Sequence, residues 1–463
     1  MSVPLPETHK AVRLYPADLS IHVESIPTPK IEHPDDAIVK VKVCVFIGSD
    51  SIKDSNISLG LQLSGLCGSD LHGYRGHEKI NNIVVTGHEF IGEVVALGSS
   101  YSPDATDRPP LYSTLHIGDK VVSPFTSSCA ECHFCRIGFT SRCAHQLLFG
   151  SEELSGGQAQ YVCVPRAGGT LFIVALAPSS SAPSATSVPQ QSQPLSNLTD
   201  SSLLLLADIL PTGVFAALQA LQHPNILPVI RGERFPLASV GGLVFPRDKC
   251  ESMVESASGE GTGGLRDLLL DSLWPGMGSE DRVLTIAVIG LGPVGVCATI
   301  ALLDFLSALR VRYRLVAIDT VEARRENILA VYDALPASVR NRDSEFAVDS
   351  PDNAIRFVQD STDGIGCNAV LESPLVCIRR PPVPFTGREL YAKNVAAVFG
   401  RCPVRAVFPL AADLLRRRQD VFGGVGSGAG AGVERIVGLD NAPEAYAKFA
   451  KNEWGKVAFD PWN

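Results

Sequence analysis

The sequence lacks an extended basic stripe, and its 49 acidic residues outnumber its 40 lysines and arginines. The resulting formal charge of -9 disfavours binding to a nucleic-acid phosphate backbone. The N-terminal segment MSVPLPETHKAVRLYPADLS also lacks the apolar h-region and the small-residue cleavage site of a secretory signal. We therefore expect a cytoplasmic protein with no nucleic-acid partner.

An uninterrupted apolar run of membrane-spanning length is also missing. The longest apolar stretch, LLLLADILPTGVFAALQAL at 203–221, is interrupted by Asp208, Pro211 and Gly213. It therefore predicts a buried helix and no membrane partner. The 463 residues, 45% of them hydrophobic, are sufficient for two or three domains with large cores.

Cysteine is plentiful, with twelve residues in the chain and four of them within SSCAECHFCRIGFTSRC. Cys129, Cys132, Cys135 and Cys143 follow the spacing C-x2-C-x2-C-x7-C, which lets one loop wrap a tetrahedral zinc ion. The alternatives are coincidence or disulfides, which would be strained between cysteines this close. Because four thiolates leave no open coordination position, this zinc would be structural and any chemistry would lie elsewhere.

Two further zinc-type ligands occur upstream in glycine-rich segments. Cys67 lies in GLCGSDLHGYRG (65–76) and His88 lies in TGHEFIGEVVALGS (86–99). A thiolate and an imidazole both suit zinc, and the neighbouring glycines let the backbone approach a metal closely. Taken singly, each residue could equally be a buried core cysteine or a satisfied core histidine.

An apolar strand, a glycine-rich turn, an apolar helix and a second strand follow one another at 283–320. This order is typical of a Rossmann dinucleotide site, in which the pyrophosphate meets the helix N-terminus. A βαβ unit that binds no nucleotide is the alternative. The predicted cofactor-binding residues are Gly290, Gly292, Pro293, Val294, Gly295 and Asp319.

The residue at the end of the second strand bears on the choice of cofactor. The Asp319 carboxylate would accept hydrogen bonds from the ribose hydroxyls and would repel a 2′-phosphate, which favours NAD. Arg324 and Arg325 follow closely, so that NADP stays an alternative.

The segments CGSDLH and GHEFIGEVVALGS, followed by the four-cysteine loop, resemble the zinc-dependent alcohol dehydrogenases of the medium-chain dehydrogenase/reductase family. The stretch LLLLADILPTGVFAAL (203–218) resembles the branch of glutathione-independent formaldehyde dehydrogenases. The resemblance implies an α/β protein with a GroES-like β-rich catalytic domain and a Rossmann domain with a doubly wound parallel sheet. It also implies two zinc ions, NAD, an alcohol or aldehyde substrate, and a homo-oligomer (dimer or tetramer).

The resemblance assigns ligands to a catalytic zinc. Cys67 and His88 match two of the family's ligands, and Asp208 matches the aspartate that binds the metal in the formaldehyde dehydrogenase branch. A capping or helix-surface aspartate is the alternative at that position. An unpaired carboxylate in so apolar a segment would be costly to bury, which favours a metal partner.

Three further residues receive roles in catalysis from the same resemblance. Ser69 matches the hydroxyl that takes up the substrate proton, and His72 matches the imidazole at the outer end of the proton relay. Glu89 matches an acidic neighbour of the metal. A hydroxyl followed by an imidazole would move a proton towards solvent near neutral pH.

The resemblance also implies domain boundaries: 1–202 for the catalytic domain, 203–400 for the Rossmann-like domain, and 401–463 for a segment that returns to the catalytic domain. Segments 38–43, 83–89 and 159–165 predict strands of the first domain.

Two features depart from the family pattern, an insertion at 44–64 and a shortening after Glu372. They leave a second hypothesis open. The chain could be a catalytically silent, zinc-stabilised relative that binds a nucleotide or a partner protein.

Overall fold

The computed structural model describes residues 4–41, 63–106, 114–177, 195–232, 280–341, 343–372, 386–426 and 431–463. The predicted insertion at 44–64 lies almost wholly outside the described residues, and the segment that follows Glu372 also lies outside them. Contacts divide the chain into unit 1, Met1–Phe215 with Pro374–Asn463, and unit 2, Ala216–Ser373. The domain boundaries inferred from the sequence, at 202/203 and 400/401, stay a proposal.

The strands are β1 (Thr8–Tyr15), β2 (Ser20–Pro27), β3 (Ala37–Lys40), β4 (Ser64–Leu66), β5 (Val84–Val85), β6 (Phe90–Leu97), β7 (Lys120–Ser123), β8 (Tyr161–Val164), β9 (Phe172–Ala175), β10 (Leu284–Ile289), β11 (Tyr313–Ile318), β12 (Glu345–Asp349), β13 (Ala369–Glu372), β14 (Arg435–Gly438) and β15 (Val457–Asp460). Unit 1 holds a sheet of order β2-β1-β5 and a larger sheet of order β14-β15-β4-β6-β3-β8, in which β7 pairs with β6 and β9. All of its strand pairs are antiparallel except the parallel pair β14·β15.

The helices are α1 (Asp70–Tyr74), α2 (His133–Arg136), α3 (Ala167–Thr170), α4 (Asp200–Leu204), α5 (Ile209–Leu221), α6 (Leu227–Arg231), α7 (Pro293–Ala308), α8 (Glu322–Ala334), α9 (Pro351–Ser361), α10 (Gly387–Ala392), α11 (Val404–Arg417), α12 (Gln419–Phe422) and α13 (Ala442–Ala450). No single described helix has the length and apolarity of a membrane span. The segment Asp200–Ala207 and helix α5 together have the length and the composition of one, but the two are bent by 51° relative to each other.

The C-terminal strand β15 is built into the sheet of unit 1. It pairs antiparallel with β4, with Val457 opposite Leu66 and Phe459 opposite Ser64. Leu66 and Phe459 are fully buried, and Tyr446 from α13 joins them in one hydrophobic cluster. Burial of each such side chain contributes roughly 1.5–3 kcal/mol. This pairing holds the end of β4, and therefore Cys67, against the C-terminal segment.

The strand predicted at 83–89 is much shorter than expected, because β5 covers only Val84–Val85. Gly87 has a φ of +92°, and a Cβ at this position would lie 2.4 Å from Cγ of Gln158. A left-handed glycine ends the strand. The chain therefore turns before β6, and His88 lies in this turn.

Unit 2 is a parallel sheet of order β12-β11-β10-β13. Its central strand β10, LTIAVI, is buried along five of its six residues, as expected of a parallel strand covered on both faces. Helix α7 connects β10 to the parallel strand β11, which ends one residue before Asp319. The strand, glycine turn, helix and strand predicted from the sequence are therefore confirmed.

Lowering the pH is expected to destabilise unit 1 through His9 in β1. Burial of this imidazole, which is 4% exposed, lowers its pKa from 6.5 to about 4 against a smaller opposing effect of the Tyr161 backbone. The folded state therefore binds the proton more weakly than the unfolded state. The associated stability is complete above pH 6.5 and falls by at most about 3 kcal/mol as the pH drops to 4.

Urea unfolding between pH 7 and pH 4 would measure this loss. A His9→Phe variant keeps the edge-to-face contact with the Tyr161 ring but has no imidazole to protonate. Its free energy of unfolding should therefore fall by about 3 kcal/mol less between pH 7 and pH 4 than that of the wild type. An identical pH dependence in the two proteins would contradict the prediction.

Candidate active site

Three side chains that are far apart in the sequence converge in unit 1. Cys67 directly follows β4, His88 lies two residues before β6, and Asp208 directly precedes α5. Oδ2 of Asp208 lies 3.6 Å from Sγ of Cys67 and 3.4 Å from Nε2 of His88. The three donor atoms all lie within 4.8 Å of one another, and all three residues are buried. The structure therefore brings together the three residues predicted to bind a catalytic zinc.

Asp208 reaches this cluster because the helical segment breaks at its position. Its φ of -149° and ψ of -69° are not helical, and they separate the 3-10 turn Leu205–Ala207 from α5. The Thr212 hydroxyl donates to Oδ1 of Asp208 over 2.7 Å, which leaves Oδ2 directed at Cys67 and His88. The single buried helix predicted over 203–221 is therefore wrong at this point, because the acidic residue interrupts it.

This donor set fits a zinc ion. Zinc binds thiolate, imidazole and carboxylate ligands at about 2.0–2.3 Å, so one ion can contact three atoms with these separations. Burial disfavours the imidazolium of His88, but Asp70 and Asp208 outweigh it and raise the pKa of His88. Burial would likewise raise the pKa of Asp208, but His88 lowers it overall. A cation is thus favoured here, either as a proton on His88 or as a metal.

Asp70 is a functional residue that the sequence interpretation missed, although it lies inside the CGSDLH motif. Its Oδ1 lies 3.1 Å from Nδ1 of His88, and its Oδ2 accepts a hydrogen bond of 2.9 Å from the backbone N–H of Cys67. A carboxylate behind a ligating imidazole fixes the tautomer and the ring orientation of that imidazole. Asp70 therefore orients two of the three donor residues.

Glu89 forms a buried ion pair that the sequence interpretation also missed. Oε2 of Glu89 pairs with Nζ of Lys456, and neither side chain is more than 3% exposed. Burial raises the pKa of Glu89 despite the attraction of Lys456. Burial would lower the pKa of Lys456, but Glu89 raises it overall. The lysine in the otherwise apolar segment GKVAF was the feature of the sequence that could have indicated a buried charged partner.

Ser69 and His72 lie at the start of α1. The Ser69 hydroxyl is 3.3 Å from Sγ of Cys67 and 3.3 Å from Nε2 of His88, so it belongs to the donor cluster. The backbone N–H of His72 donates to the Ser69 carbonyl over 3.1 Å. Their predicted roles in proton transfer stay proposals.

The four cysteines of the loop also converge, with Sγ–Sγ distances of 3.5 Å (Cys129 to Cys143) and 4.0 Å (Cys129 to Cys135, Cys132 to Cys143). A tetrahedron of sulfurs around zinc has edges of about 3.8 Å, whereas a disulfide is about 2.05 Å long. Burial raises the pKa of Cys135. Burial would also raise the pKa of Cys132, but backbone hydrogen bonds from Ala144 and Cys135 and side-chain hydrogen bonds from Cys135 and Cys129 together lower it to about 6. A dication would hold all four as thiolates.

The glycine-rich turn of unit 2 has the geometry of an anion cradle. Gly290 has a φ of +87°, and Gly292 is the N-cap of α7, with Pro293 at its first position and Gly295 buried in its first turn. A Cβ on Gly292 would meet no atom within 4 Å, so packing does not explain this glycine. The open N-terminus of a long helix fits a dinucleotide pyrophosphate. Val294 continues the same first turn.

The Asp319 carboxylate is hydrogen-bonded to the glycine-rich turn. Its Oδ2 accepts a hydrogen bond of 2.7 Å from the Leu291 N–H, and its Oδ1 accepts one of 2.8 Å from the Val321 N–H. Nη1 of Arg324 lies 3.4 Å from Oδ2. A carboxylate has about four acceptor sites, so Asp319 can hold the turn and still accept hydrogen bonds from a ligand.

Comparisons with known proteins agree with this geometry. The family model for the alcohol dehydrogenase GroES-like domain matches residues 53–172. Medium chain reductase/dehydrogenase ucsI from Acremonium sp. is 34% identical over 370 residues, which are 79% of this chain and 86% of that protein. Zinc-type alcohol dehydrogenase B from Aspergillus flavus is 29% identical over 459 residues, which are 95% of this chain and 78% of that protein.

The fold of the chain is shared with solved structures. The structure of alcohol dehydrogenase TADH from Thermus sp. ATN1 superposes with a TM-score of 0.60 at 21% identity, and the match covers 97% of this chain and 99% of the other. The predicted fold class, a GroES-like domain with a Rossmann-type sheet, is confirmed. The chain belongs to the zinc-containing oxidoreductases of the medium-chain dehydrogenase/reductase family.

Proposed function

We propose that this chain is an NAD-dependent zinc dehydrogenase that oxidises an alcohol or an aldehyde hydrate. The convergence of Cys67, His88 and Asp208 carries the proposal. A buried thiol, imidazole and carboxylate within 4.8 Å of one another supply three ligands and leave the fourth position of a catalytic zinc open for the substrate oxygen. The four-cysteine loop would hold a second, structural zinc, which gives two zinc ions per chain.

The reaction removes a hydride from the carbinol carbon and a proton from the hydroxyl group. When bound, zinc would supply Lewis acidity at the substrate oxygen and NAD would supply the hydride acceptor. The Ser69 hydroxyl, 3.3 Å from two of the donor atoms, takes up the substrate proton in this proposal and releases its own proton to His72. His72 passes that proton to solvent, and the products are a carbonyl compound, NADH and one proton.

Two features of the chain support the roles of Glu89 and Asp319. The Glu89 carboxylate interacts electrostatically with Asp208 and His88, so together with its ion-pair partner Lys456 it is an acidic neighbour of the proposed catalytic zinc. Asp319 would repel a 2′-phosphate, which favours NAD over NADP. A dimer or tetramer and a cytoplasmic location stay predictions, to be checked by light scattering and by fractionation of cells.

The first experiment is to count zinc ions per folded chain. We expect two in the wild type and one after Cys67→Ala, together with loss of NADH formation from a panel of alcohols and aldehydes. Cys163→Ala is the matched control, because this cysteine lies in β8 with its sulfur 3.8 Å from the Lys30 carbonyl oxygen. The Cys163→Ala protein should keep two zinc ions. One zinc in every protein and no NADH would overturn the proposal in favour of a catalytically silent relative.

Replacing Asp319 should change the choice between the two nicotinamide cofactors. In Asp319→Ser, the acceptor for the ribose hydroxyls and the charge that repels a 2′-phosphate are both removed. We expect the ratio of kcat/KM for NAD to that for NADP to fall at least about tenfold, which corresponds to 1.4 kcal/mol.

The matched control for this substitution is Asp349→Asn, at the end of the neighbouring strand β12. The Asp349 carboxylate accepts hydrogen bonds from Ser350 and Asn353 and should not affect the ratio. Steady-state kinetics with both cofactors measures it, and an unchanged ratio in Asp319→Ser would remove Asp319 from cofactor selection.

A further inference from the structure

A buried hydrogen-bond network behind His88 is not used by the chemistry described so far. Its centre is the side-chain amide of Gln158, which is 0% exposed and lies just before β8. Oε1 of Gln158 accepts hydrogen bonds from the Tyr446 hydroxyl over 2.8 Å and from the Thr86 hydroxyl over 2.6 Å. Tyr446 and Thr86 are themselves buried. The amide therefore joins the C-terminal helix α13 to the turn that carries His88.

The other end of the amide faces the segment that carries Cys67. Nε2 of Gln158 donates to the Gly65 carbonyl over 2.9 Å and, at the long distance of 3.5 Å, to Oδ2 of Asp70. The same Oδ2 accepts a hydrogen bond from the Cys67 N–H. Gln158 therefore contacts the backbone two residues before Cys67 and also the carboxylate behind His88.

The Gly65 carbonyl and the Asp70 carboxylate determine which way the amide points, because both groups only accept hydrogen bonds. The two N–H groups of Nε2 therefore face Gly65 and Asp70, and the hydroxyls of Tyr446 and Thr86 donate to Oε1 on the other side. A flipped amide would set Oε1 against the Gly65 carbonyl and the Asp70 carboxylate, neither of which can donate to it. In a buried site such mismatches are costly, because no water replaces the lost partners.

The Asp70 carboxylate connects the amide to the imidazole. Because a carboxylate only accepts hydrogen bonds, Nδ1 of His88 donates to Oδ1 of Asp70 across 3.1 Å. The lone pair of a neutral His88 is then on Nε2, the atom that faces Asp208 and Cys67. The hydrogen-bond directions in this chain are thus consistent from Tyr446 to the proposed metal.

We propose that Gln158, whose Oε1 is held by the Tyr446 and Thr86 hydroxyls, is a positioning residue that holds Asp70 and thereby presents His88 Nε2 to a divalent metal. This inference rests on the proposed function. It gives the helix α13 a part in the assembly of the metal site, because Tyr446 lies in this helix. Gln158, Tyr446 and Thr86 are not themselves ligands and contact none of the three donor atoms directly.

The test uses the full chain with both hydroxyls removed by near-isosteric changes, Thr86→Val with Tyr446→Phe. Zinc affinity at the three-residue site is measured by competition with a chelator, and the absorption spectrum of the Co²⁺-substituted protein reports ligand geometry. Tyr74→Phe is the matched control. Its ring packs edge-on against Tyr446 with a centroid distance of 5.5 Å, and it is not part of the network.

We expect zinc binding at the three-residue site to weaken about tenfold or more in the double variant, with altered Co²⁺ bands. The four-cysteine zinc and the Tyr74→Phe protein should match the wild type. Tyr446→Phe alone, which keeps the Thr86 donor and folds more readily, should weaken binding in the same direction by a smaller factor.

Three outcomes separate the claims. Wild-type affinity and Co²⁺ bands in both Tyr446→Phe and the double variant would overturn the positioning role while leaving the proposed function intact. Zinc affinity weakened in the double variant only as much as in Tyr74→Phe would also overturn the positioning role, because the effect would then reflect packing only. A wild-type chain that binds metal only at the four cysteines would overturn the proposed function and this inference with it.

Discussion

Replacing Lys456 by methionine is expected to lower the free energy of unfolding by about 3–5 kcal/mol. The ammonium of Lys456 is paired with Oε2 of Glu89, and neither side chain is more than 3% exposed. The other oxygen of Glu89, Oε1, is buried without a hydrogen-bond partner among the described residues. Loss of the lysine would therefore leave a fully buried carboxylate without its ion-pair partner.

Denaturant unfolding of zinc-loaded protein measures this effect. The control is Lys10→Met, because the Lys10–Asp440 pair, 2.8 Å apart, is 50% and 63% exposed and should contribute less than about 1 kcal/mol. Glu89→Gln combined with Lys456→Met should recover most of the loss, since the unpaired charge is then absent. A Lys456→Met protein as stable as Lys10→Met would show that the buried pair is not required for folding.

Asp208→Asn is expected to remove the zinc of the three-residue site and to lower kcat/KM by about 10³-fold or more. The amide keeps the shape of the side chain but removes the negative charge beside Cys67 and His88. Loss of the metal would forfeit several kcal/mol of charge stabilisation in the transition state, and about 4 kcal/mol corresponds to 10³-fold in rate.

Asp200→Asn is the matched control for Asp208→Asn. Asp200 is another buried carboxylate of the same helical segment, 3% exposed, and it pairs with Lys120. This variant should lose stability but keep two zinc ions and its kcat/KM. Two zinc ions and unchanged turnover in Asp208→Asn would instead assign Asp208 the capping role that the sequence left open.

The sites that could be predicted from the sequence are those whose residues are neighbours in the chain. Cys129 and Cys143 are 14 positions apart, and one loop brings all four sulfurs of the cluster together. The glycine turn at 290–295 is local in the same way. For such sites spacing alone limits the geometry, because a short segment has few conformations that satisfy one ion or one phosphate.

The three-residue cluster required more than spacing. Cys67 and Asp208 are 141 positions apart, and the family resemblance, not periodicity, suggested that they meet. The sequence predicted a continuous strand through His88 and a single helix through Asp208. The left-handed Gly87 and the helix break at Asp208 contradict both predictions, because these interruptions let the two side chains reach the cluster.

The sequence by itself determined the two local motifs, the absence of a basic surface run and the alternation of strands and helices. Only the tertiary structure decided which residues support the site: Lys456 beside Glu89, 367 positions away, and Tyr446 against Gln158, 288 positions away. The pairing of β15 with β4 brings the C-terminal segment to the end of β4. Such contacts depend on the packing of whole elements, and no short stretch of sequence carries that information.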